Sequence, residues 1–238
     1  PQHRPAHHEL HAVLLPDACP TGYQAAEMGN IREGDVVAVF GAGPVGLFAA
    51  KSAWLRGAGR VTVIDHLDFR LERAREFAHA ETVNFTQVDD IVLHMKRMTD
   101  YMGADVVIDA VGAEADGSFF HVVTNNKLKL QGGSPVALNW CIDSVRKAGT
   151  VSVIGAYGPL YSAVKFGDIV NKGLTIRSAQ CSVKRHWPRL IEHVRNGVLK
   201  PSAVVTHRFP LEEIAEGYHV MASKLDECIK PLVYTQPH

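Results

Sequence analysis

A glycine-rich hexapeptide between a buried strand and a helix constrains this chain more than any other feature. Residues 36–40 are Val-Val-Ala-Val-Phe, an apolar, largely β-branched run that predicts a strand buried on both faces of a parallel sheet. The next six residues, Gly-Ala-Gly-Pro-Val-Gly, have the GxGxxG spacing, and apolar residues then recur at helical spacing until Gly57. In this order of strand, loop and helix, the backbone N–H groups of the loop face a diphosphate.

Each glycine of the hexapeptide has its own physical reason. Gly41 permits the tight turn out of the strand, and Gly43 lets the backbone approach a pyrophosphate. Gly46 lets the helix pack closely on the strand. Pro44 and Val45 complete the loop, so all five residues are predicted to bind a dinucleotide.

An acidic residue at the end of the second predicted strand specifies the dinucleotide. Asp65 ends residues 61–65, about 20 residues after the loop, where a carboxylate accepts hydrogen bonds from the ribose hydroxyls of NAD. The same carboxylate repels a 2′-phosphate, so NAD is predicted rather than NADP, and nearby Arg70 either covers the adenine or softens that preference. Two alternatives stay open: NADP as the cofactor, and glycines that only form a turn.

Strands and helices alternate along the rest of the chain. The further predicted strands are residues 82–84, 105–109, 150–154 and 174–177. The further predicted helices are residues 69–78, 136–147 and 187–196, with one more around Met95. This alternation predicts an α/β fold, a doubly wound parallel-sheet Rossmann domain. An extended lead-in is expected over residues 1–20, and a helix at 211–222 and a strand at 229–234 are expected to form a separate unit.

Composition excludes several classes of partner. Lys and Arg together number 25, as do Asp and Glu, so the net charge is zero and neither nucleic acid nor an anionic membrane is expected as a partner. The four cysteines lie far apart without a CxxC pair, which favours a reducing compartment over a disulfide framework. No apolar run approaches the ~20 residues of a membrane span. A cytoplasmic protein is therefore predicted.

Six segments together resemble the zinc-dependent medium-chain dehydrogenases, and within them the formaldehyde dehydrogenase-like alcohol dehydrogenases. The segments are PTGYQAAEMGNI, GDVVAVFGAGPVGLFAAKSAWLRGAGRVTVIDH, ADVVIDAVG, GTVSVIGAYG, NKGLTIRSAQ and THRFPLEEIAEGY. The match extends from Asp17 to Tyr234. The resemblance implies a Rossmann domain at residues 24–200 and remnants of a GroES-like catalytic domain at both ends, residues 1–23 and 201–238.

The resemblance also implies a zinc site that this chain does not complete. The family's longer N-terminal catalytic region supplies a cysteine and a histidine as zinc ligands and a proton relay, and none of that region is recognisable here, so no catalytic residue is assigned. Asp17 falls where this subgroup has its last zinc ligand. A chain that begins at Pro1 is expected to be processed or truncated. His3, His7, His8 and His11 offer a second metal-site hypothesis, against which a disordered polar terminus is the alternative.

Further contacts with NAD carry over from the family by position. They are Thr21, Ala110, Val111, Gly112, Gly155, Ala156, Tyr157, Gln180 and Lys230. The residues that follow the fourth, fifth and sixth strands lie at carboxyl ends, where ligands bind in open α/β sheets. Plain loop packing is the alternative interpretation.

Two functional hypotheses follow. The first is an NAD- and zinc-dependent oxidoreductase that transfers hydride between NAD and an alcohol or aldehyde, impaired in this shortened chain. The second is a catalytically inactive NAD-binding or interaction module derived from such an enzyme. The resemblance further implies a homodimer or homotetramer that associates through the sixth strand.

Overall fold

Six parallel strands form the main sheet of the computed structural model, which describes residues 11–111, 135–157 and 163–235. The strands are β1 (Val36–Phe40), β2 (Arg60–Asp65), β3 (Glu81–Asn84), β4 (Ala104–Asp109), β5 (Val145–Val153) and β6 (Thr175–Ser178). Their order across the sheet is β3-β2-β1-β4-β5-β6. The chain therefore winds in one direction from β1 to β3 and in the other from β4 to β6, which confirms the predicted doubly wound Rossmann fold.

Helices connect the strands of the main sheet, and further helices precede and follow it along the chain. They are α1 (Ala18–Met28), α2 (Pro44–Leu55), α3 (Asp68–Arg73), α4 (Ile91–Arg97), α5 (Pro135–Ser144), α6 (Phe166–Lys172), α7 (Val183–Arg195) and α8 (Ile214–Ala222). A π-helical turn, Ala74–Ala78, extends α3. The last strands, β7 (His207–Pro210) and β8 (Pro231–Tyr234), form a separate two-stranded parallel sheet. No helix within the described ranges is long and apolar enough to cross a lipid bilayer.

Hydrophobic side chains are buried on both faces of the main sheet. On one face, Phe40 of β1 belongs to a buried cluster with Met95 of α4 and Cys141 of α5. Right-handed crossovers place α2 on the opposite face, because β1 to β2 and β4 to β5 proceed in opposite directions across the sheet. There Phe48 of α2 meets Phe77 of the π-helical turn edge to face, with ring centroids 5.5 Å apart. Burial on both faces explains why β1 is continuously apolar.

The chain forms two compact units. Thr21–Cys181 contains the main sheet, whereas the described residues of Pro1–Pro20 and Ser182–His238 form the other unit. Within the latter unit, the Trp187 Nε1–H donates to the Leu15 carbonyl at 2.9 Å. Helix α7 thus belongs with the chain termini, although the sequence assigned residues up to 200 to the Rossmann domain.

Two predictions about local structure are wrong, and one strand was not predicted. The helix expected over residues 136–147 ends at Ser144, because buried Val145 pairs with Ala104 and starts β5. The described part of the lead-in is not extended, since residues 11–12 are helical, residues 13–17 form turns and α1 begins at Ala18. Strand β7 was not predicted, because four residues that include a proline give too short a pattern.

We expect Gly46→Ala to disrupt the packing between α2 and β1. A Cβ atom at Gly46 would lie 1.8 Å from the Gly41 carbonyl oxygen, so the helix must shift, at a cost of about 1–3 kcal/mol or more in the free energy of unfolding. Gly167→Ala is the matched control, because Gly167 of α6 has no atom within 4 Å of such a Cβ. Urea unfolding followed by circular dichroism measures both. An unchanged midpoint for Gly46→Ala would contradict the close approach.

Candidate functional site

The glycine loop lies at the point where the winding of the sheet reverses, between the carboxyl ends of β1 and β4. Gly41 has a φ of +98°, a conformation that a side chain rarely adopts. Its N–H donates to the Ile64 carbonyl at 2.8 Å, and a Cβ there would lie 3.1 Å from the Ala110 carbonyl oxygen. The first residue of the loop is therefore held between the ends of β2 and β4.

Open space remains over the next glycine. Gly43 is the N-cap residue of α2, Pro44 occupies the first helical turn, and no described side chain caps this helix end. A Cβ at Gly43 would have only one heavy atom within 4 Å, Arg70 Nη1 at 3.8 Å. The φ of Gly43 is −69°, so neither packing nor backbone conformation requires a glycine here. Space for a ligand beside the N–H groups of Val45 and Gly46 is the remaining physical reason, and a diphosphate fits it.

Arg70 adds positive charge beside the same space. The Arg70 Nε–H is buried and has no hydrogen-bond partner among the described residues. A buried guanidinium N–H without a partner costs free energy, and a bound anion would remove that cost. Arg70 therefore fits a contact with a phosphate at the glycine loop.

Asp65 organises the loop in addition to its predicted contact with ribose. Its Oδ2 accepts the Ala42 N–H at 2.7 Å, and its Oδ1 accepts the N–H groups of His66 and Leu67 at 2.7 and 3.1 Å. The carboxylate is only 6% exposed. It links the glycine loop to the turn between β2 and α3, a role that sequence reasoning missed. An ionised carboxylate has about four acceptor positions, so capacity for a ribose hydroxyl remains.

Main-chain hydrogen bonds join the carboxyl ends of β1, β4 and β5. The Ala110 N–H donates to the Phe40 carbonyl at 2.9 Å, and the Gly155 N–H donates to the Asp109 carbonyl at 3.0 Å. Val111, Ala156 and Tyr157 follow the same two strands, so the structure brings these predicted contacts to one edge of the sheet. Gly112 lies outside the described residues.

Helix α1 positions two further predicted contacts within the Rossmann unit. Thr21 is followed by Gly22, where a Cβ would lie 2.6 Å from the Val45 carbonyl oxygen, so Thr21 lies beside the first turn of α2. The Gln24 side chain donates to the Gln180 carbonyl at 3.0 Å. This hydrogen bond fixes the chain after β6.

The two remaining predicted site residues lie in the unit that contains the termini. Lys230 Nζ is 3.3 Å from Asp17 Oδ2, and the Asp17 side chain is 70% exposed. Among the described residues, no group of three His, Cys, Asp or Glu side chains is arranged to hold a metal ion. A catalytic zinc needs about three protein ligands, so the described residues do not fit one, and Asp17 as a zinc ligand stays a prediction. His3, His7 and His8 lie outside the described residues, and His11 Nδ1 accepts the Ser202 N–H at 3.2 Å.

Sequence reasoning also missed Asp109, the last residue of β4, which is fully buried. Its signal was an acid directly after the apolar run Val106–Ile108, at a carboxyl end where ligands bind. Its hydrogen bonds link the two loops that contain Val111 and Tyr157. Asp109 thus belongs to the same edge as the predicted contacts.

Comparison with known proteins assigns these features to one family. A family model described as zinc-binding dehydrogenase matches residues 44–123. The chain is 40% identical over 217 residues to the zinc-type alcohol dehydrogenase-like protein AdhB of Bacillus subtilis, covering 91% of this chain and 57% of that protein. It is 34% identical over 178 residues to the glutathione-independent formaldehyde dehydrogenase of the same organism, covering 74% of this chain and 41% of that protein.

A solved structure agrees with the sequence relatives. The alcohol dehydrogenase TADH from Thermus sp. ATN1 superimposes with a TM-score of 0.82 at 29% identity, over 99% of this chain and 61% of that one. The chain therefore spans a little over half the length of AdhB and of this structure.

Proposed function

We infer that this chain belongs to the zinc-dependent medium-chain dehydrogenase family, and we propose that Thr21–Cys181 is an NAD-binding domain of an alcohol or aldehyde oxidoreductase. One observation carries the proposal. The space over Gly43 lies at the N-terminus of α2 and is bordered by Arg70, whose Nη1 would lie 3.8 Å from a Cβ at Gly43 and whose buried Nε–H has no partner among the described residues, and that arrangement suits a diphosphate.

The choice of NAD rests on the fixed orientation of Asp65. Three backbone N–H groups hold its carboxylate, so it cannot rotate away from a ligand without breaking those hydrogen bonds. The adenosine ribose of a dinucleotide lies at the end of β2 in this fold, where its hydroxyls donate to such a carboxylate. A 2′-phosphate at the same place would bring two negative charges together in a nearly buried position.

The proposed reaction is hydride transfer between NAD and a primary alcohol or aldehyde. We propose formaldehyde-like compounds as the substrate class. In the family, zinc acts as a Lewis acid that polarises the substrate oxygen. The residues of this chain bind and orient the cofactor, and we propose Lys230 as a further cationic contact and Asp17 as a zinc ligand in the complete enzyme. None of the four cysteines, all of which lie within the described residues, forms a disulfide, consistent with a reducing compartment, which we propose is the cytoplasm.

We expect NAD to bind this chain more tightly than NADP, by about tenfold or more, in isothermal titration calorimetry.

Gly43→Val is expected to weaken NAD binding by about tenfold or more, because the side chain fills space that the diphosphate needs. The control is Gly167→Val, which introduces the same side chain at an open position of α6. Urea unfolding of each variant separates lost binding from lost folding. Equal affinities for NAD and NADP would remove the role of Asp65, and unchanged binding by Gly43→Val would contradict the proposed diphosphate position.

The alternative function is an NAD-binding module without turnover. The absence of a three-ligand metal group among the described residues favours it. A panel of primary alcohols and formaldehyde, with NAD and added zinc, distinguishes the two by NADH absorbance. The module predicts NAD binding with no NADH formed from any substrate. Turnover that a chelator abolishes would instead support the enzyme.

We also propose that β6 joins two copies of this chain into a homodimer or a homotetramer. Thr175–Ser178 is exposed throughout and, in the described structure, pairs only with β5, so its outer edge has backbone groups available for a twin strand. Exposed Phe166 and Val170 of the neighbouring α6 add apolar surface. Light scattering is expected to give at least twice the mass of one chain, and Ile176→Lys in the strand is expected to yield monomers. A monomeric wild type would contradict this association.

A further inference from the structure

Asp109 holds both loops that follow the second half of the sheet. Its main-chain carbonyl accepts the N–H groups of Ile154 and Gly155, each at 3.0 Å. Its carboxylate accepts the Val111 N–H at 3.0 Å through Oδ1 and the Tyr157 hydroxyl through Oδ2. A single residue therefore joins the loop after β4 to the loop after β5 through both main-chain and side-chain contacts.

Burying a carboxylate costs free energy unless hydrogen bonds stabilise it, so the hydrogen bonds of Asp109 stabilise this part of the structure. Asp109 is fully buried at the end of an apolar strand. Burial and the nearby charge of Asp109 raise the pKa of the Cys141 thiol well above its usual range, so that neighbour remains neutral. Hydrogen-bond donors stabilise a buried carboxylate, and one donor to Asp109 is the Tyr157 O–H, which belongs to the loop after β5.

The place of this contact in the fold indicates which part of a dinucleotide it affects. The doubly wound sheet has two mononucleotide-binding halves, and Asp65 at the end of β2 assigns the adenosine to the half that contains β1–β3. The nicotinamide nucleotide then meets the loops after β4 and β5. Val111, Gly155 and Ala156 lie in those loops, one or two residues from Asp109 or Tyr157.

We propose that the Tyr157–Asp109 hydrogen bond is a positioning contact for the nicotinamide ring of NAD. It fixes the separation of the two loops, so that backbone groups of both loops meet the nicotinamide ring together. Tyr157 and Asp109 act through Val111, Gly155 and Ala156 rather than on the reacting atoms. This inference rests on the proposed NAD-binding function.

Comparison of NAD with ADP-ribose tests the inference, because ADP-ribose contains everything in NAD except the nicotinamide ring. Tyr157→Phe removes only the hydroxyl that donates to Asp109. We expect the dissociation constant for NAD to rise about five- to tenfold, whereas that for ADP-ribose changes by less than about twofold. Isothermal titration calorimetry measures both ligands, and urea unfolding confirms that the variant is folded.

Two further variants separate positioning from general destabilisation. Tyr101→Phe is the matched control, since exposed Tyr101 precedes β4 at the opposite edge of the sheet, and we expect it to change neither dissociation constant. Asp109→Asn keeps a contact with Tyr157, because the amide N–H donates to the Tyr157 hydroxyl while Oδ1 still accepts the Val111 N–H. We expect its ratio of ADP-ribose to NAD affinity to stay within about threefold of wild type.

The outcomes distinguish this inference from the proposed function. If the wild type binds both ligands and Tyr157→Phe weakens both equally, or weakens neither, the positioning role is overturned and NAD binding stands. The positioning role is also overturned if Asp109→Asn loses as much NAD affinity as Tyr157→Phe. Asp109→Asn keeps the contact with Tyr157, so the contact would then not preserve NAD binding. If the wild type binds neither ligand, the proposed function fails and the inference with it.

Discussion

The close approach of α2 to the end of β1 is the constraint on which the rest of the site depends. The backbone at Gly46 lies so near the Gly41 carbonyl that a single methyl group would not fit between them. This close approach places the first turn of α2 at the carboxyl edge of the sheet, beside the space over Gly43. Arg70 borders that space, and Asp65 holds the loop that forms it, so both act on a geometry that the two glycines permit.

The features predictable from sequence were those with a local or periodic signal. Continuous apolar runs predicted the buried strands, and the GxGxxG spacing predicted the tight turn after β1, because Gly41 has a positive φ and Gly46 has no room for a side chain. Residues 145–147 were assigned to a helix, since Val145 became a strand residue only through its pairing with Ala104 of β4. Pairing between distant strands leaves no trace in the local pattern.

The side-chain contacts of the site were not predictable for the same reason. The ion pair between Asp17 and Lys230 joins residues 213 positions apart in sequence, and each had been assigned a different ligand from family position alone. The hydrogen bond between Asp109 and Tyr157 spans 48 positions. Position in the family predicted which loops contribute to the site, whereas the hydrogen bonds that hold those loops required the structure.

Asp65 and Asp109 have corresponding roles in the two halves of the sheet. Each ends a strand, each is almost completely buried, and each accepts hydrogen bonds from a loop that follows a neighbouring strand: Asp65 from the glycine loop, Asp109 from the loop after β5. A buried carboxylate that accepts several donors restricts the loops it joins, because moving either loop would leave a charge without its hydrogen bonds. Both contacts lie within Thr21–Cys181, so this edge of the sheet is organised by that unit's own residues. The proposed binding of a dinucleotide therefore rests on residues of one unit, which is why the two proposed functions, an NAD-binding module and a dehydrogenase, predict the same crevice and differ only in turnover.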